Sequence, residues 1–165
     1  MYGVVQGRLS KSPDNQLQWF PQDCWQDEFC KCETLGLNFV ELLDERSYNS
    51  NNPIWSSSGR DEIKKVVSET NRIIYSSCTD NIIDNSLSLE TTLDHVFNYL
   101  EVSKYLGCEI AIFPLMEESS ITPNNFDSYV STIREICNST SFTICLESIL
   151  DHKILGRFID AVNVE

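Results

Sequence analysis

The chain has 165 residues, of which 25 are acidic and 12 are basic, so its formal net charge is -13. This length favours one domain, residues 1–165, that is large enough to bury a core of its own. A negative charge of this size repels phosphate backbones and anionic lipids, because binding to them depends on Lys and Arg side chains. We therefore expect neither a nucleic-acid partner nor attachment to a membrane surface.

Seven cysteines are scattered along the chain without a CxxC pair. Their odd number and irregular spacing fit neither a zinc site nor a secreted disulfide framework. No basic and apolar leader precedes the first predicted strand, and no stretch reaches the roughly 18 apolar residues of a membrane span. These patterns predict free thiols and a cytoplasmic location.

Five short apolar runs alternate with helix-like segments. The runs cover residues 3–9, 37–43, 72–78, 109–115 and 142–148, and polar or turn residues bound each one. Runs of this kind are typical of strands buried on both faces of a parallel sheet. The alternation of strands and helices predicts successive strand-plus-helix units of an α/β fold.

Helix signals lie between the runs. Asp23 with Gln26 predicts a capping box before the first helix, and Ser58 with Asp61 predicts the cap of the second. Residues 89–106 have the apolar spacing of a third helix, and Pro123 opens a fourth. Residues 151–161 predict a fifth helix, and residues 162–165 predict the start of a sixth strand.

Polar side chains cluster where the predicted strands end. They are Gln6, Arg8, Glu41, Asp80, Glu117 and Glu147. The carboxyl ends of parallel strands meet on one face, which carries the functional site in barrels and doubly wound sheets. Convergent carboxylates repel one another unless a cation lies among them, and oxygen ligands suit Mg²⁺ or Mn²⁺.

Each of these residues also has a structural interpretation. Glu147 fits either a metal ligand or a solvated strand end, and Glu41 fits either a substrate contact or an ion pair with Arg8. Asp80 fits either a substrate contact or the cap of the next turn. Gln6 and Arg8 fit either polar substrate contacts or structural groups in the mouth of a barrel.

The remaining polar candidates favour structural roles. Glu117 and Glu118 fit a solvated acidic loop, and His95 and His152 fit surface or capping positions. No GxGxxG, GxxxxGK[ST] or GxSxG motif occurs, so neither nucleotide binding through such loops nor serine hydrolase chemistry is supported.

Several segments in order resemble a known family. Residues 5–10 resemble the opening of sugar phosphate isomerase/epimerases of the xylose isomerase-like TIM-barrel superfamily. The resemblance continues through Phe20-Pro21, Trp25, Glu28-Phe29, Leu35-Gly36, residues 39–41, Asn52-Pro53, residues 77–80, Leu106-Gly107, Phe113-Pro114 and residues 146–148.

This resemblance implies a (β/α)8 barrel with a divalent metal, Mn, Mg, Co or Zn, held by acidic and His side chains on late strands. It makes Glu147 the first metal ligand and a catalytic residue. It places Glu41 and Asp80 on the substrate side, where Gln6 and Arg8 are also predicted to contact the substrate because they follow the first strand. The implied reaction acts on a carbohydrate, which is a sugar, sugar phosphate or polyol, and moves a proton between adjacent carbons.

The sequence departs from this family pattern in one respect. Such a barrel needs about 250 residues, and strands six to eight with the other ligands would follow residue 165. We therefore expect an incomplete TIM barrel of about five βα units plus the start of a sixth strand. We expect this chain to be inactive alone and not to bind a metal tightly.

Two alternatives remain open. The first is an AP-endonuclease-like DNA-repair enzyme of the same superfamily, although the charge of -13 opposes phosphate contacts. The second is a non-catalytic barrel fragment. An open sheet edge after the fifth strand would give such a fragment a surface for self-association.

Overall fold

The computed structural model describes residues 1–13, 16 and 18–163. It contains five strands, β1 (Gly3–Val5), β2 (Phe39–Asp44), β3 (Ser76–Thr79), β4 (Ile110–Pro114) and β5 (Thr143–Glu147). The helices are α1 (Trp25–Thr34), α2 (Ser57–Thr70), α3 (Glu90–Leu106), α4 (Phe126–Ser139) and α5 (His152–Val162). Short 3-10 turns at Pro53–Trp55, Asp80–Asp84 and Glu117–Ser119 follow β2, β3 and β4.

The sheet is fully parallel, with the strand order β1-β2-β3-β4-β5. Each strand pairs with its sequence neighbour, and a helix connects them, so all carboxyl ends lie along one edge. Within the described residues, β1 pairs only with β2 and β5 pairs only with β4. This is the arrangement expected of an incomplete (β/α)8 barrel.

Two apolar clusters form the core on the helix-bearing face of the sheet. Val40 and Leu42 of β2 pack in one cluster with Phe29 of α1 and Ile63 of α2. The other cluster joins α3, β4, α4 and α5, and Phe113 of β4 is fully buried in it. Because side chains alternate along a strand, the residues between these apolar positions point to the opposite face, which is the barrel interior.

The first strand ends earlier than the run at residues 3–9 predicts. The buried carboxylate of Glu28 accepts hydrogen bonds from the Gly7 amide at 2.7 Å and from the Leu9 amide at 3.0 Å. Gly7 adopts a φ of +90°, and a Cβ there would lie 2.3 Å from the Trp19 carbonyl oxygen. The chain therefore leaves the sheet at Gly7. Glu28 of α1 then stabilises the loop that follows through its two hydrogen bonds.

The third strand begins later than the run at residues 72–78 predicts. Phe39 pairs with Ile73 in an isolated bridge, whereas Leu42 pairs with Ser77 in the regular ladder. The register therefore shifts by one residue between these two pairs, as in a β-bulge. This shift lets Ser76 face Glu41 across the strands.

The helix signals were partly wrong. α1 begins after Cys24 without a side-chain cap, so the capping box predicted at Asp23 does not form. α2 is capped by Ser56, whose hydroxyl accepts a hydrogen bond from the Gly59 amide, and not by Ser58.

The sixth strand that was predicted to begin at residue 162 does not begin there. Val162 is the last residue of α5, and Asn163 ends that helix in a left-handed conformation. Val164 and Glu165 lie outside the described residues.

We expect Glu28→Gln to lower the free energy of unfolding by about 2 kcal/mol, because hydrogen bonds to a buried charge are worth more than neutral ones. The amide can accept from only one of the two backbone N–H groups and turns its own N–H toward the other. Urea unfolding measures the change. Glu33→Gln on the exposed side of the same helix is the control, and an equal loss in both variants would contradict this role of Glu28.

Candidate active site at the carboxyl ends of the strands

Three carboxylates converge on the interior face at the ends of the strands. Glu41 of β2 accepts a hydrogen bond from the Ser76 hydroxyl at 2.5 Å. Asp80 follows β3 and is buried, and its Oδ1 accepts a hydrogen bond from the Cys78 thiol at 3.4 Å. Glu147 ends β5, where it pairs with Pro114 of β4. The parallel ladder therefore brings together three acids that are far apart in sequence.

Burial and mutual repulsion change the protonation of two of these acids. Burial raises the pKa of Glu41, the Ser76 hydrogen bond opposes the increase, and the charges of Glu147 and Asp80 add to it. Burial also raises the pKa of Asp80, against the Cys78 hydrogen bond, and Glu147 adds to that increase. Both carboxyls thus retain protons at a higher pH than they would in water.

Cys78 lies among these acids but is not a reactive thiol. Burial raises its pKa, and the charges of Asp80, Glu41 and Glu147 raise it further. Since the thiolate is the nucleophilic form, this cysteine stays protonated and unreactive.

Gln6 and Arg8 take different positions. Gln6 is buried, and its Oε1 accepts a hydrogen bond from the Leu43 amide at 3.3 Å, which ties the end of β1 to β2. Arg8 is exposed and donates to Gln18 at 2.9 Å. Glu41 and Arg8 therefore do not form the ion pair that was one interpretation of the sequence. Glu41 accepts a hydrogen bond from Ser76, and Arg8 donates one to Gln18.

His95 is not the surface or capping residue that the sequence predicts. Its Nε2 lies 2.7 Å from Oδ2 of Asp44, and only 16% of its side chain is exposed. The same Asp44 oxygen accepts from the Thr79 hydroxyl at 2.6 Å, and the ring of Trp55 lies 5.1 Å from that of His95. This network links α3 to the ends of β2 and β3 on the helix side.

A cavity of about 400 Å³ opens beside Asp80, and we call it the rim pocket. It is lined by Gln16, Gln18, Trp19, Leu43, Glu45, Arg46, Ser47 and Asp80. Glu45 is held by the side-chain amides of Asn49 and Asn52, and burial raises its pKa against those hydrogen bonds. Sequence analysis missed Glu45 and Arg46 as lining groups, although both follow directly after the second predicted strand.

The donor set does not complete a metal centre. In the described ranges, no group of three His, Cys, Asp or Glu side chains is placed to hold a metal ion. Glu147 is exposed at the end of β5, and Glu117 instead pairs with Arg46 at 2.5 Å. The described residues therefore do not fit a divalent ion held by several protein ligands.

No helix in the described part of the chain is long and apolar enough to cross a membrane.

The seven cysteines are all free, as the sequence predicts.

We expect Glu41→Gln to raise the free energy of unfolding at pH 7. A carboxyl with a raised folded-state pKa binds its proton more tightly in the folded state, so stability falls as pH rises from about 4 through that pKa. The side-chain amide of the variant does not titrate, so this loss of stability with rising pH disappears. Its oxygen can still accept a hydrogen bond from the Ser76 hydroxyl. Urea unfolding between pH 4 and pH 8 should show a shallower decline in the variant.

Glu118→Gln, at an exposed carboxylate, is the control and should follow the wild-type pH profile. A Glu41→Gln profile parallel to that of the wild type would contradict the pKa argument.

Comparison with known proteins supports the fold. No family model matches this sequence, and no curated protein matches it. Among solved structures, the chain is similar to a xylose isomerase-like TIM barrel protein from Mycobacterium smegmatis in complex with magnesium, with a TM-score of 0.69 and 14% identity. That alignment covers 98% of this chain and 60% of the other.

A second similar structure is a xylose isomerase domain protein from Planctomyces limnophilus, with a TM-score of 0.64 and 15% identity. The alignment covers 99% of this chain and 58% of that one. The chain thus spans about 60% of the length of the structures that it matches. It has the fold of part of a xylose isomerase-like (β/α)8 TIM barrel, as the sequence predicts.

Proposed function

We propose that this chain is the substrate-binding part of a metal-dependent isomerase or epimerase that acts on a sugar, sugar phosphate or polyol. The observation that carries the proposal is the convergence of Glu41, Asp80 and Glu147 at the carboxyl ends of the strands. Reactions that move a proton between adjacent carbons need a general base and a general acid near the reacting carbons. Carboxyls with raised pKa values suit both roles near neutral pH.

Each residue has a defined role in this proposal. Glu41 and Asp80 contact the substrate and exchange protons with it, and Glu147 is the catalytic group that also ligates the metal. Gln6 holds β1 and β2 in the register that presents Glu41, while Arg8 lies further out and contacts polar groups of the substrate.

The proposal includes a divalent ion, Mn, Mg, Co or Zn, which would polarise a carbonyl or hydroxyl of the substrate. One carboxylate is too few to hold such an ion, since ions of this class take several oxygen or nitrogen ligands. The described residues contain no group of three His, Cys, Asp or Glu side chains that is placed to hold such an ion. We therefore propose that this chain is inactive alone.

Saturation-transfer NMR without metal tests substrate binding. Separate exchange reactions in D₂O, with and without MnCl₂, test proton transfer through the uptake of deuterium at carbon. We expect pentoses or hexoses to bind the chain, and Glu41→Gln to weaken this binding several-fold. We expect no deuterium uptake into carbon-bound positions with or without the metal, because the ligand set is incomplete. Glu118→Gln is the control and should bind as the wild type does.

Absence of binding by every sugar and sugar phosphate tested would contradict the assignment of a carbohydrate site. Deuterium uptake that disappears in Glu41→Gln would support the chemistry and contradict the inactivity of the chain alone.

We also propose that the edge of β5, which pairs only with β4 among the described residues, supports self-association. A groove of about 410 Å³ runs along the helix side of this edge, and its apolar lining comes from Ile133, Cys137, Ile144, Leu146, Ile159 and Val162. No residue of β5 is fully buried, and unpaired strand edges readily pair with other chains.

Light scattering across a range of concentrations should show a mass that rises above that of the 18.9 kDa monomer. Leu146→Lys should shift this rise to higher concentration, because it places a charge in the groove. A mass of one chain at every concentration would contradict self-association.

A further inference from the structure

A buried clamp joins the ends of β2 and β3 on the helix side of the sheet, and it consists of Asp44, Thr79 and His95. Asp44 and Thr79 form the last pair of the ladder between the two strands. The Thr79 hydroxyl donates to Oδ2 of Asp44 at 2.6 Å, and Nε2 of His95 lies 2.7 Å from the same oxygen. Since a carboxylate accepts hydrogen bonds, the His95 nitrogen is the donor. α3 is therefore bonded to the point where both strands end.

The clamp supplies the side-chain hydrogen bonds that the Asp44 carboxylate receives among the described residues. The Asp44 side chain is fully buried, and its Oδ1 has no partner in the described part of the chain. A buried carboxylate that loses a donor bears the cost of its desolvation without compensation. Loss of the His95 donor therefore drives the Asp44 carboxylate to move until it finds water or another donor.

The end of β3 depends on this carboxylate. The ladder between β3 and β4 ends with the pair of Cys78 and Ile112, whereas the ladder between β2 and β3 extends to Thr79. Among the described residues, Thr79 is thus paired with β2 alone. Asp80 directly follows Thr79 and points to the opposite face, because side chains alternate along a strand. A displacement of Thr79 therefore moves Asp80 as well.

A second buried contact between α3 and β3 lies below the clamp. Tyr99 and Ser103 follow His95 by one and two turns on the same face of the helix. The Tyr99 hydroxyl donates to Ser77 at 2.7 Å, and the Ser77 hydroxyl donates to Ser103 at 3.0 Å. These bonds attach α3 to the middle of β3 and do not involve the strand ends. Tyr99 therefore provides a comparison that separates the anchoring of α3 from the placement of Asp80.

We infer that His95 is a positioning residue of the proposed site, which fixes the location of Asp80 at the end of β3 through Asp44 and Thr79. The inference rests on the proposed function, in which Asp80 contacts the substrate. It extends the site to a residue of the helix layer that does not itself reach a substrate.

The titration of Asp80 reports the position of its carboxyl group. Burial raises the pKa of Asp80, the hydrogen bond from Cys78 opposes this increase, and the charge of Glu147 adds to it. The charge of Arg46 also opposes the increase, and that of Asp44 adds to it. A carboxyl that moves from this buried position toward water therefore titrates at a lower pH.

The experiment follows the side-chain carboxyl carbons by NMR in the full chain labelled with ¹³C-aspartate. The Asp80 signal is assigned by its loss in Asp80→Asn. In His95→Leu we expect the titration midpoint of Asp80 to fall by about half a pH unit or more, because the displaced carboxyl gains contact with water. His95→Gln keeps an N–H donor within reach of Asp44, so Asp80 should titrate in this variant as it does in the wild type.

Tyr99→Phe is the matched control. It removes a buried hydrogen bond of α3 and leaves the clamp intact. The titration midpoint of Asp80 should stay at the wild-type value in this variant, even where urea unfolding shows a loss of stability equal to that of His95→Leu.

Sugar binding gives a second measurement. Saturation-transfer signals from pentoses or hexoses should weaken several-fold in His95→Leu and stay at wild-type strength in His95→Gln and Tyr99→Phe. Absence of sugar binding in the wild type, together with the expected titration pattern, would contradict the proposed function and support the positioning of Asp80. The two ideas can therefore fail separately.

A second pair of variants tests the clamp where His95→Leu does not fold. Thr79→Val has nearly the same shape as the wild type but lacks the hydroxyl that bonds to Asp44, whereas Thr79→Ser retains a hydroxyl. We expect the Asp80 midpoint to fall in Thr79→Val and to remain unchanged in Thr79→Ser.

Four results would overturn the inference. An equal change in His95→Leu and His95→Gln would assign the effect to the imidazole charge. A rise of the midpoint in His95→Leu would do the same, since removal of a nearby cation raises the pKa of a carboxyl. An equal fall in Tyr99→Phe would assign the effect to a general loosening of α3. An unchanged midpoint in both His95→Leu and Thr79→Val would show that the clamp does not hold Asp80.

Discussion

Parallel pairing of neighbouring strands is the constraint on which the rest of this structure depends. Every connection passes through a helix on the same face, so every strand delivers its carboxyl end to one edge of the sheet. Acids separated by 39 or 67 positions, such as Glu41, Asp80 and Glu147, become neighbours only through this ladder. A site built in this way exists only while the strands keep their register.

Register at this edge is maintained by a few buried polar groups. Glu28 holds the loop after β1 through two amides, and Gln6 bonds to the backbone of β2. The one-residue shift between β2 and β3 then turns the Ser76 hydroxyl toward Glu41. Apolar packing supplies the bulk of the core, whereas these few hydrogen bonds determine where the acids stand.

The sequence predicts the order of the five strands and places Glu41, Asp80 and Glu147 near their carboxyl ends, because apolar runs and the residues that follow them are local patterns. It does not reveal the role of Glu28 or His95, since a polar residue in a helical repeat has the same local pattern whether it faces solvent or a buried partner. The Asp44 partner of His95 is 51 positions away, and only tertiary packing brings the two together. The register shift before Ser76 is equally invisible, because residues 72–75 are as strand-like as those that pair.

Arg46 joins the loops that follow β2, β3 and β4 through ion pairs with Asp84 and Glu117, and all three side chains are roughly half exposed. Ion pairs of this kind contribute little to the free energy of folding, which in this chain comes from the two apolar clusters on the other face of the sheet. The charged side chains at the rim pocket and the apolar side chains that stabilise the fold are therefore separate sets of residues. Over evolution, the charges around the rim pocket can therefore change while the barrel fold that carries them is retained.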